Sequence, residues 1–252
     1  MLVGCDEKGG IVPRYKIAGV VFDAEHIYKY SAHLCEKYLY SDAQFPEFSV
    51  KITQKDIDAE RAQEGGENFP DYYLESLALF RKLCDYVLTK RQGIVFHSSA
   101  IAVDGKAYLF TAPSGTGKST HARLWREMLG DKAVMINDDK PIIRLENGVF
   151  YVYGTPWNGK HRLDTNARAE IAAICEIRQG KENQIRKISP SDMLLVVLNQ
   201  TIRPSEPEKM DNLLSILDKL LTSVPLYRLT CDISEEAAKT SFNAMVKNDI
   251  RI

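Results

Sequence analysis

The sequence predicts an α/β protein, a mixed sheet carrying a phosphate-binding loop and preceded by a small N-terminal β-rich region. Three observations lead there. The stretch YLFTAPSGTGKSTHARLW, from Tyr108 to Trp125, reads as an apolar strand, a loop of small residues, a Lys-Ser-Thr triplet and a helix. Asp104-Gly105 sits between the alternating runs Ala100–Val103 and Ala107–Phe110, and Asn147-Gly148 sits between PIIRL and VFYVYG. Such pairs mark two-residue hairpins, whose central residues need positive φ. Most phosphate-loop proteins are built on parallel βαβ units, so two hairpins flanking the loop imply a sheet of another, mixed type.

The elements follow in order. KIAGVVFD from Lys16 and EFSVKIT from Glu47 alternate as strands, with an aromatic-rich helical stretch near EHIYKYSAHLCEKYLY beside them. QEGGENFPD at 63–71 is a loop, with Asp71 placed to cap the helix YYLESLALFRKLCDYVLTK. Leu74, Leu77, Phe80, Leu83 or Cys84, and Val87 share one face of that helix, which therefore packs on a core. Beyond the second hairpin come a helix near 191–200, a Pro-marked break RPSEPEK, and a helix near 208–222. The strand PLYRLTC and a last helix opened by Asp232, with Glu235 three residues on, complete the chain. With 252 residues, one large core or a main core with a satellite is expected, divided as a small region 1–70 and a phosphate-loop domain 71–252.

Composition narrows the partners. A formal net charge of −1 offers no polyanion-attracting excess, so neither nucleic acid nor an anionic membrane is an expected partner. No apolar run approaches the ~20 residues that span a bilayer. The N-terminal MLVGCDEKGG carries charges where a signal peptide has its apolar core, so a cytoplasmic location is expected. Cys5, Cys35, Cys84, Cys175 and Cys231 are odd in number and include no Cys-x-x-Cys pair, which suggests buried or idle thiols rather than a disulfide framework or zinc site.

The chemistry concentrates after Phe110. A phosphate is held by backbone N–H groups of a tight loop entering a helix N-terminus, where unpaired donors and the helix dipole favour an anion. Gly115 and Gly117 let the backbone wrap closely, Lys118 reaches outer phosphates, and Ser119 offers a hydroxyl to Mg²⁺. Ser114, Gly115, Thr116, Gly117, Lys118, Ser119 and Thr120 thus form the expected nucleotide cradle. Ala112 stands where the first glycine of G-x-x-x-x-G-K-[ST] belongs. About 20 residues on, the apolar Ala133–Ile136 runs into Asn137-Asp138-Asp139. Carboxylates at a strand's C-terminal end beside such a loop hold metal or accept a proton from an attacking hydroxyl, and two of them suggest a division of those tasks. Alone, an Asp-Asp pair is a common solvated turn.

These residues, FHSSAIAVDGKAYLFTAPSGTGKST and the following INDD, resemble the catalytic core of bacterial HPr kinase/phosphorylase and its relatives, which share the phosphate-loop fold of phosphoenolpyruvate carboxykinases. The resemblance covers about residues 93–180 and makes 71–252 a kinase-like catalytic domain. It implies His97 near the catalytic centre, Lys118 on the phosphates, Ser119 on the metal, Asp139 as the base that deprotonates an acceptor hydroxyl, and Asp138 in the metal shell. The chain departs from true HPr kinases in lacking their longer glycine-rich signature, of which EIRQG at 176–180 matches part. In its place YGTPWNGKHR resembles a stretch of relatives that phosphorylate small molecules or peptide serines, so the implied acceptor is a serine-type hydroxyl rather than HPr.

Each secondary candidate has a plainer reading. His97 is also a candidate core histidine beneath the hairpin. Trp157 suits packing as well as a substrate platform. Lys160, His161 and Arg162 suit an acceptor's carboxylate or simple solvation. Arg178 is a charge stabiliser on chemistry alone. The expectation is therefore a phosphotransferase using Mg²⁺ and ATP, or another nucleotide or pyrophosphate donor, with Trp157 and Lys160 at the acceptor. Its partners are the nucleotide and a small-molecule or peptide hydroxyl, with an oligomer left open. The rivals are a carboxykinase-type lyase and a nucleotide-binding regulatory module without catalysis.

Overall fold

The turn residues dictate the hairpins. In the computed structural model, which describes residues 12–246, Asp104-Gly105 adopt φ 50° and 79°, and Asn147-Gly148 adopt 51° and 83°. These left-handed pairs match the twist of the strands they join. The chain divides into two compact units, Met1–Val87 and Leu88–Ile252.

In the first unit, β1 (Arg14–Ile17) and β2 (Val20–Glu25) pair antiparallel, and β3 (Phe48–Lys51) adds parallel to β2. The segment from Lys16 that reads as one strand is thus a hairpin, turning at Ala18-Gly19 with φ 51° and 73°. Helices α1 (Lys29–Leu34), α2 (Gln54–Arg61) and the start of α3 (Asp71–Lys90) complete the unit. The buried stripe of α3 includes Leu74, Leu79, Phe80, Leu83 and Val87. Glu75, inside the same helix, accepts hydrogen bonds from the Ile27 and Tyr28 amides and from the Ser31 hydroxyl at 2.6 Å, so a buried carboxylate pins the entrance to α1.

The second unit runs β4 (Gly93–Val95), β5 (Ser99–Val103), β6 (Lys106–Thr111), α4 (Lys118–Leu129), β7 (Ala133–Asn137), β8 (Ile142–Glu146) and β9 (Val149–Tyr153). It continues with β10 (Arg168–Gln179), β11 (Gln184–Lys187), α5 (Pro190–Asn199), α6 (Pro207–Ser223), β12 (Leu226–Cys231) and α7 (Glu235–Met245). The last helix is capped by Ser234, which accepts from the Ala237 amide. Asp232, expected as the cap, instead accepts from the Ser234 amide and hydroxyl.

All nine strands form one mixed sheet, ordered β4-β8-β9-β10-β6-β5-β7, with β12 and then β11 joined to β10. Strand β10 is the hub. It pairs parallel with β6 along one edge; along the other it pairs antiparallel with β9 at Arg168–Glu170 and parallel with β12 at Ile174–Gln179. Its side chains divide between two cores, with a register shift between Ile171 and Ala173 that breaks the simple alternation. Ile171 and Ile174 join α5 and α6 on one face, while Ala173, Cys175 and Ile177 join α4 and α7 on the other.

The sheet curls until its ends meet. The β4–β5 and β7–β8 connections each cross between the two ends of the strand order, and they are zipped together. The Phe96 amide donates to the Pro141 carbonyl at 3.1 Å and the Ser98 amide to the Asp139 carbonyl at 3.2 Å. Among the described residues no helix is long and apolar enough to cross a membrane.

Candidate functional site

The two-glycine loop leaves β6 at Thr111 and enters α4 at Lys118, with Gly115 at φ 77° and Gly117 at φ 120°. Both angles lie where a side chain is strained, so the two glycines are what permit this path. Ala112 has no such angle. It is buried and contributes its carbonyl, which accepts from the Lys118 ammonium at 2.8 Å. Replacing the pattern's first glycine by alanine therefore leaves the loop's course intact. Lys118 is 7 % exposed. Burial lowers its pKa, while Asp139 and Asp138 pull it back up, so the ammonium lies within electrostatic reach of both carboxylates.

The Asp pair ends β7, and Asn137 shapes it. The Asn137 Oδ1 accepts from the Asp139 amide at 2.8 Å and the Lys140 amide at 2.7 Å, while its Nδ2 donates to the Thr155 carbonyl at 2.9 Å. One buried amide thus fixes the turn and ties it to the segment after β9. Asp138 is 4 % exposed, and its Oδ1 accepts from the Ser99 hydroxyl at 2.6 Å. Asp139 is held from both sides, with His97 Nε2 at 2.7 Å from Oδ1 and Lys140 Nζ at 2.7 Å from Oδ2. Burial alone raises its pKa, but the His97 hydrogen bond and the Lys140 charge outweigh it and bring it down to about 2.

His97 lies on the β4–β5 connection. Its amide donates to the Gln200 carbonyl at 2.7 Å, and its carbonyl accepts from the Thr111 hydroxyl at 3.1 Å. Thr111 is the last residue of the strand that delivers the loop. The seam of the curled sheet therefore brings His97, Lys118, Asp138 and Asp139 together.

The segment from Gly154 to Arg162 borders the pair. A Cβ at Gly154 would sit 1.9 Å from the Thr165 carbonyl oxygen and 2.8 Å from that of Ile136, so only glycine fits there. A Cβ at Gly159 would lie 3.3 Å from the Asp138 carbonyl oxygen and 3.7 Å from the Asp139 Cβ, which puts the Gly159 backbone directly against the pair. Lys160 follows and is exposed. Trp157 is buried at 5 % exposure, and its carbonyl accepts from Asn137 at 3.3 Å. At that burial the Trp157 ring packs inside and offers almost no surface to an acceptor, which matches the packing alternative of the two readings its sequence allows.

A cleft of about 470 Å³ opens beside the loop, lined by Ser114, Gly115 and Thr116 and by Glu176 to Gln179 at the end of β10. The nearly buried Glu176 holds Arg178 at 2.8 Å and Arg228 at 2.5 Å, so Arg178 is fixed in the wall facing the loop. Sequence reasoning assigned no role to Asn137, Thr155, Glu176 or Arg228. Asn137 adjoins the Asp pair, and Thr155 and Glu176 fall within the stretches YGTPWNGKHR and EIRQG, whereas Arg228 is distant in sequence and meets Glu176 only through the pairing of β10 with β12.

Mg²⁺ is ordinarily held by one or two carboxylates together with phosphate oxygens and water, not by an all-protein cage. Among the described residues no group of three His, Cys, Asp or Glu is arranged around a common metal position. Asp138 has one oxygen taken by Ser99 and the other accepting no hydrogen bond among the described residues, and Ser119 directly follows Lys118. The residues present fit that mode of binding.

No family model and no curated protein matches the sequence. Among solved structures, the HPr(Ser) kinase/phosphatase from Coxiella burnetii is similar over 62 % of this chain and 98 % of that chain, with 10 % identity and a TM-score of 0.35. Similarity at that level leaves the chemistry to this chain's own residues.

Proposed function

We propose that the chain is a nucleotide-dependent phosphotransferase of the HPr kinase-like kind, transferring a phosphoryl group to a serine-type hydroxyl, free or in a peptide. The observation that carries this reading is the convergence of Lys118, at the mouth of the two-glycine loop, with a carboxylate pair whose second member is clasped by His97 and Lys140. Phosphoryl transfer asks chiefly for positioning and charge stabilisation, so few parts suffice.

In this reading the backbone of Ser114–Thr120 and the Lys118 ammonium hold the phosphates. Ser119 and Asp138 would hold Mg²⁺, which when bound neutralises charge on the transferring group. Asp139, ionised at neutral pH, accepts the acceptor hydroxyl's proton, and His97 fixes the orientation of that carboxylate. The acceptor lies between the pair and the Gly154–Arg162 segment, with Lys160 available to a carboxylate. Trp157 supports that segment from beneath.

One observation favours a second reading. A carboxylate held down to about 2, with both oxygens occupied, is a weak base, and a nucleotide-binding module without turnover needs nothing stronger. Incubation of the full chain with Mg-ATP and a panel of free hydroxy amino acids and serine peptides, read by mass spectrometry for a gain of about 80 Da, separates the two. A phosphorylated product supports the transferase. Tight nucleotide binding with no product from any acceptor or from water supports the module.

A further inference from the structure

The transfer proposed above leaves the charge of Lys140 unused. The root of this residue is fixed twice over, because the Asn137 Oδ1 accepts from its amide at 2.7 Å and its carbonyl accepts from the Thr155 hydroxyl at 2.8 Å. Its stem has room to swing, since the side chain is 35 % exposed. His97 Nε2 takes Asp139 Oδ1 at 2.7 Å, so a hydroxyl that yields its proton to Asp139 has to do so at Oδ2, where the Lys140 ammonium already stands at 2.7 Å. An acceptor oxygen at hydrogen-bond distance from Oδ2 is therefore a neighbour of Lys140 Nζ, and so is the phosphoryl group to which that oxygen bonds. The ion pair is also one that the reaction dissolves. Once Asp139 has taken the proton its charge is gone and no longer holds the ammonium, while the oxygens of the transferring group are still negative.

We infer that Lys140 is a catalytic residue, whose ammonium rests on Asp139 Oδ2 before reaction and moves onto the oxygens of the phosphoryl group as that group is transferred. The inference rests on the proposed transfer and deepens it by naming what releases the base. The acceptor oxygen bonds to phosphorus as the bond from phosphorus to the donor's bridging oxygen breaks; the hydroxyl proton goes to Asp139, and the nucleoside diphosphate leaves with the bonding pair. Lys140 exchanges one anionic partner for another and keeps its own protons throughout. A compact ammonium on a flexible four-carbon stem suits such a move. Its attraction is stronger in the transition state than before it, which is the condition under which a contact raises kcat rather than binding alone.

Lys140→Met and Lys140→Arg, compared with the wild type as full chains, test this. Calorimetry with Mg-ATP gives nucleotide affinity, and initial rates with whichever free hydroxy amino acid or serine peptide the wild type phosphorylates give kcat. Lys140→Met is expected to lower kcat by about 100- to 1,000-fold, as loss of one preorganised donor to a transition state does, while Mg-ATP affinity stays within about threefold. Lys140→Arg keeps the charge and is expected to recover at least about tenfold of that loss. An ion pair that only restrains the base predicts the opposite sign, because removing it frees Oδ2 and kcat rises. A Lys140→Met kcat within about threefold of the wild type, or above it, overturns the inference and leaves the phosphotransferase reading standing, as does a loss that Lys140→Arg does not recover. A fall in nucleotide affinity as large as the fall in rate overturns it too, since the contact is then made before the transition state. A wild type that binds nucleotide but phosphorylates none of the panel overturns the proposed function and the inference with it.

Discussion

His97 Nε2 stands 2.7 Å from Asp139 Oδ1, although the two residues lie on different crossings of the curled sheet and 42 positions apart in sequence (139 − 97). The contact exists because the Ser98 amide, next to His97, donates to the Asp139 carbonyl, so the seam brings backbone and side chains together. A carboxylate placed on such a seam is oriented by the fold itself, which is what the proposed transfer would require of a base.

Asp139→Asn should keep nucleotide affinity within about threefold while lowering the transfer rate at least about 100-fold, since the amide cannot take the hydroxyl's proton. Asp138→Asn should instead raise the Mg²⁺ concentration needed for half-maximal rate by roughly tenfold. Rates measured against Mg²⁺ concentration for both variants decide the assignment. Indistinguishable profiles would mean that the pair acts as a single site.

Lys118→Ala should weaken Mg-ATP binding by roughly 100-fold, within the range for losing charge-assisted hydrogen bonds to phosphate. In the structure its ammonium donates to carbonyls of the loop it would serve, at 2.8 Å to Ala112 and 3.5 Å to Pro113. Calorimetry gives the affinity directly, and an unchanged value would remove the phosphate-site reading.

Much of this was legible in the sequence because it is local chemistry. Asp104-Gly105 and Asn147-Gly148 demand their hairpins whatever surrounds them, and Gly115 and Gly117 demand a loop. What escaped was set by distant packing. RAEIAAICEIRQ at 168–179, the hub strand, is buried on both faces over much of its length and shows no clean alternation, so periodicity does not separate it from a buried helix. Ala18-Gly19 turns a hairpin without the usual Asn or Asp, and alternation alone read straight through it. Trp157 was ambiguous for the same reason, because nothing local says which side of its loop faces inward.

Lys160→Ala and Trp157→Ala should now part company. Lys160 is exposed beside the segment that touches the Asp pair, so its removal should raise the acceptor KM several-fold and leave nucleotide affinity and thermal stability alone. Trp157 is buried, and its truncation should cost about 3–5 kcal/mol of stability, as large-to-small core substitutions do. Thermal denaturation of the two variants beside acceptor kinetics checks both statements, and a Trp157→Ala chain of wild-type stability would contradict the packing role.

The second unit should lose stability as pH falls from about 6.5 towards 4. Burial lowers the pKa of His121 to about 4, against a reference near 6.5 in the unfolded chain. Between those values the unfolded chain binds a proton that the folded chain does not, so stability is complete above 6.5 and declines as the pH drops through the window. The full effect is roughly 3 kcal/mol at 1.36 kcal/mol per unit. Asp139 acts in the same direction but only below its ordinary 3.8, so it leaves the 4–6.5 interval to His121. His26 in the first unit is also lowered by burial and would confuse a global probe. The chain's two tryptophans avoid this, because Trp125 and Trp157 both lie in the second unit. Urea unfolding followed by tryptophan fluorescence at pH 7.5 and at pH 5 should show the decline in the wild type. His121→Gln, which keeps a donor for Ser241 but cannot take up a proton, should be less stable at pH 7.5 and nearly flat between the two conditions. An equal slope in both proteins would place the acid sensitivity elsewhere.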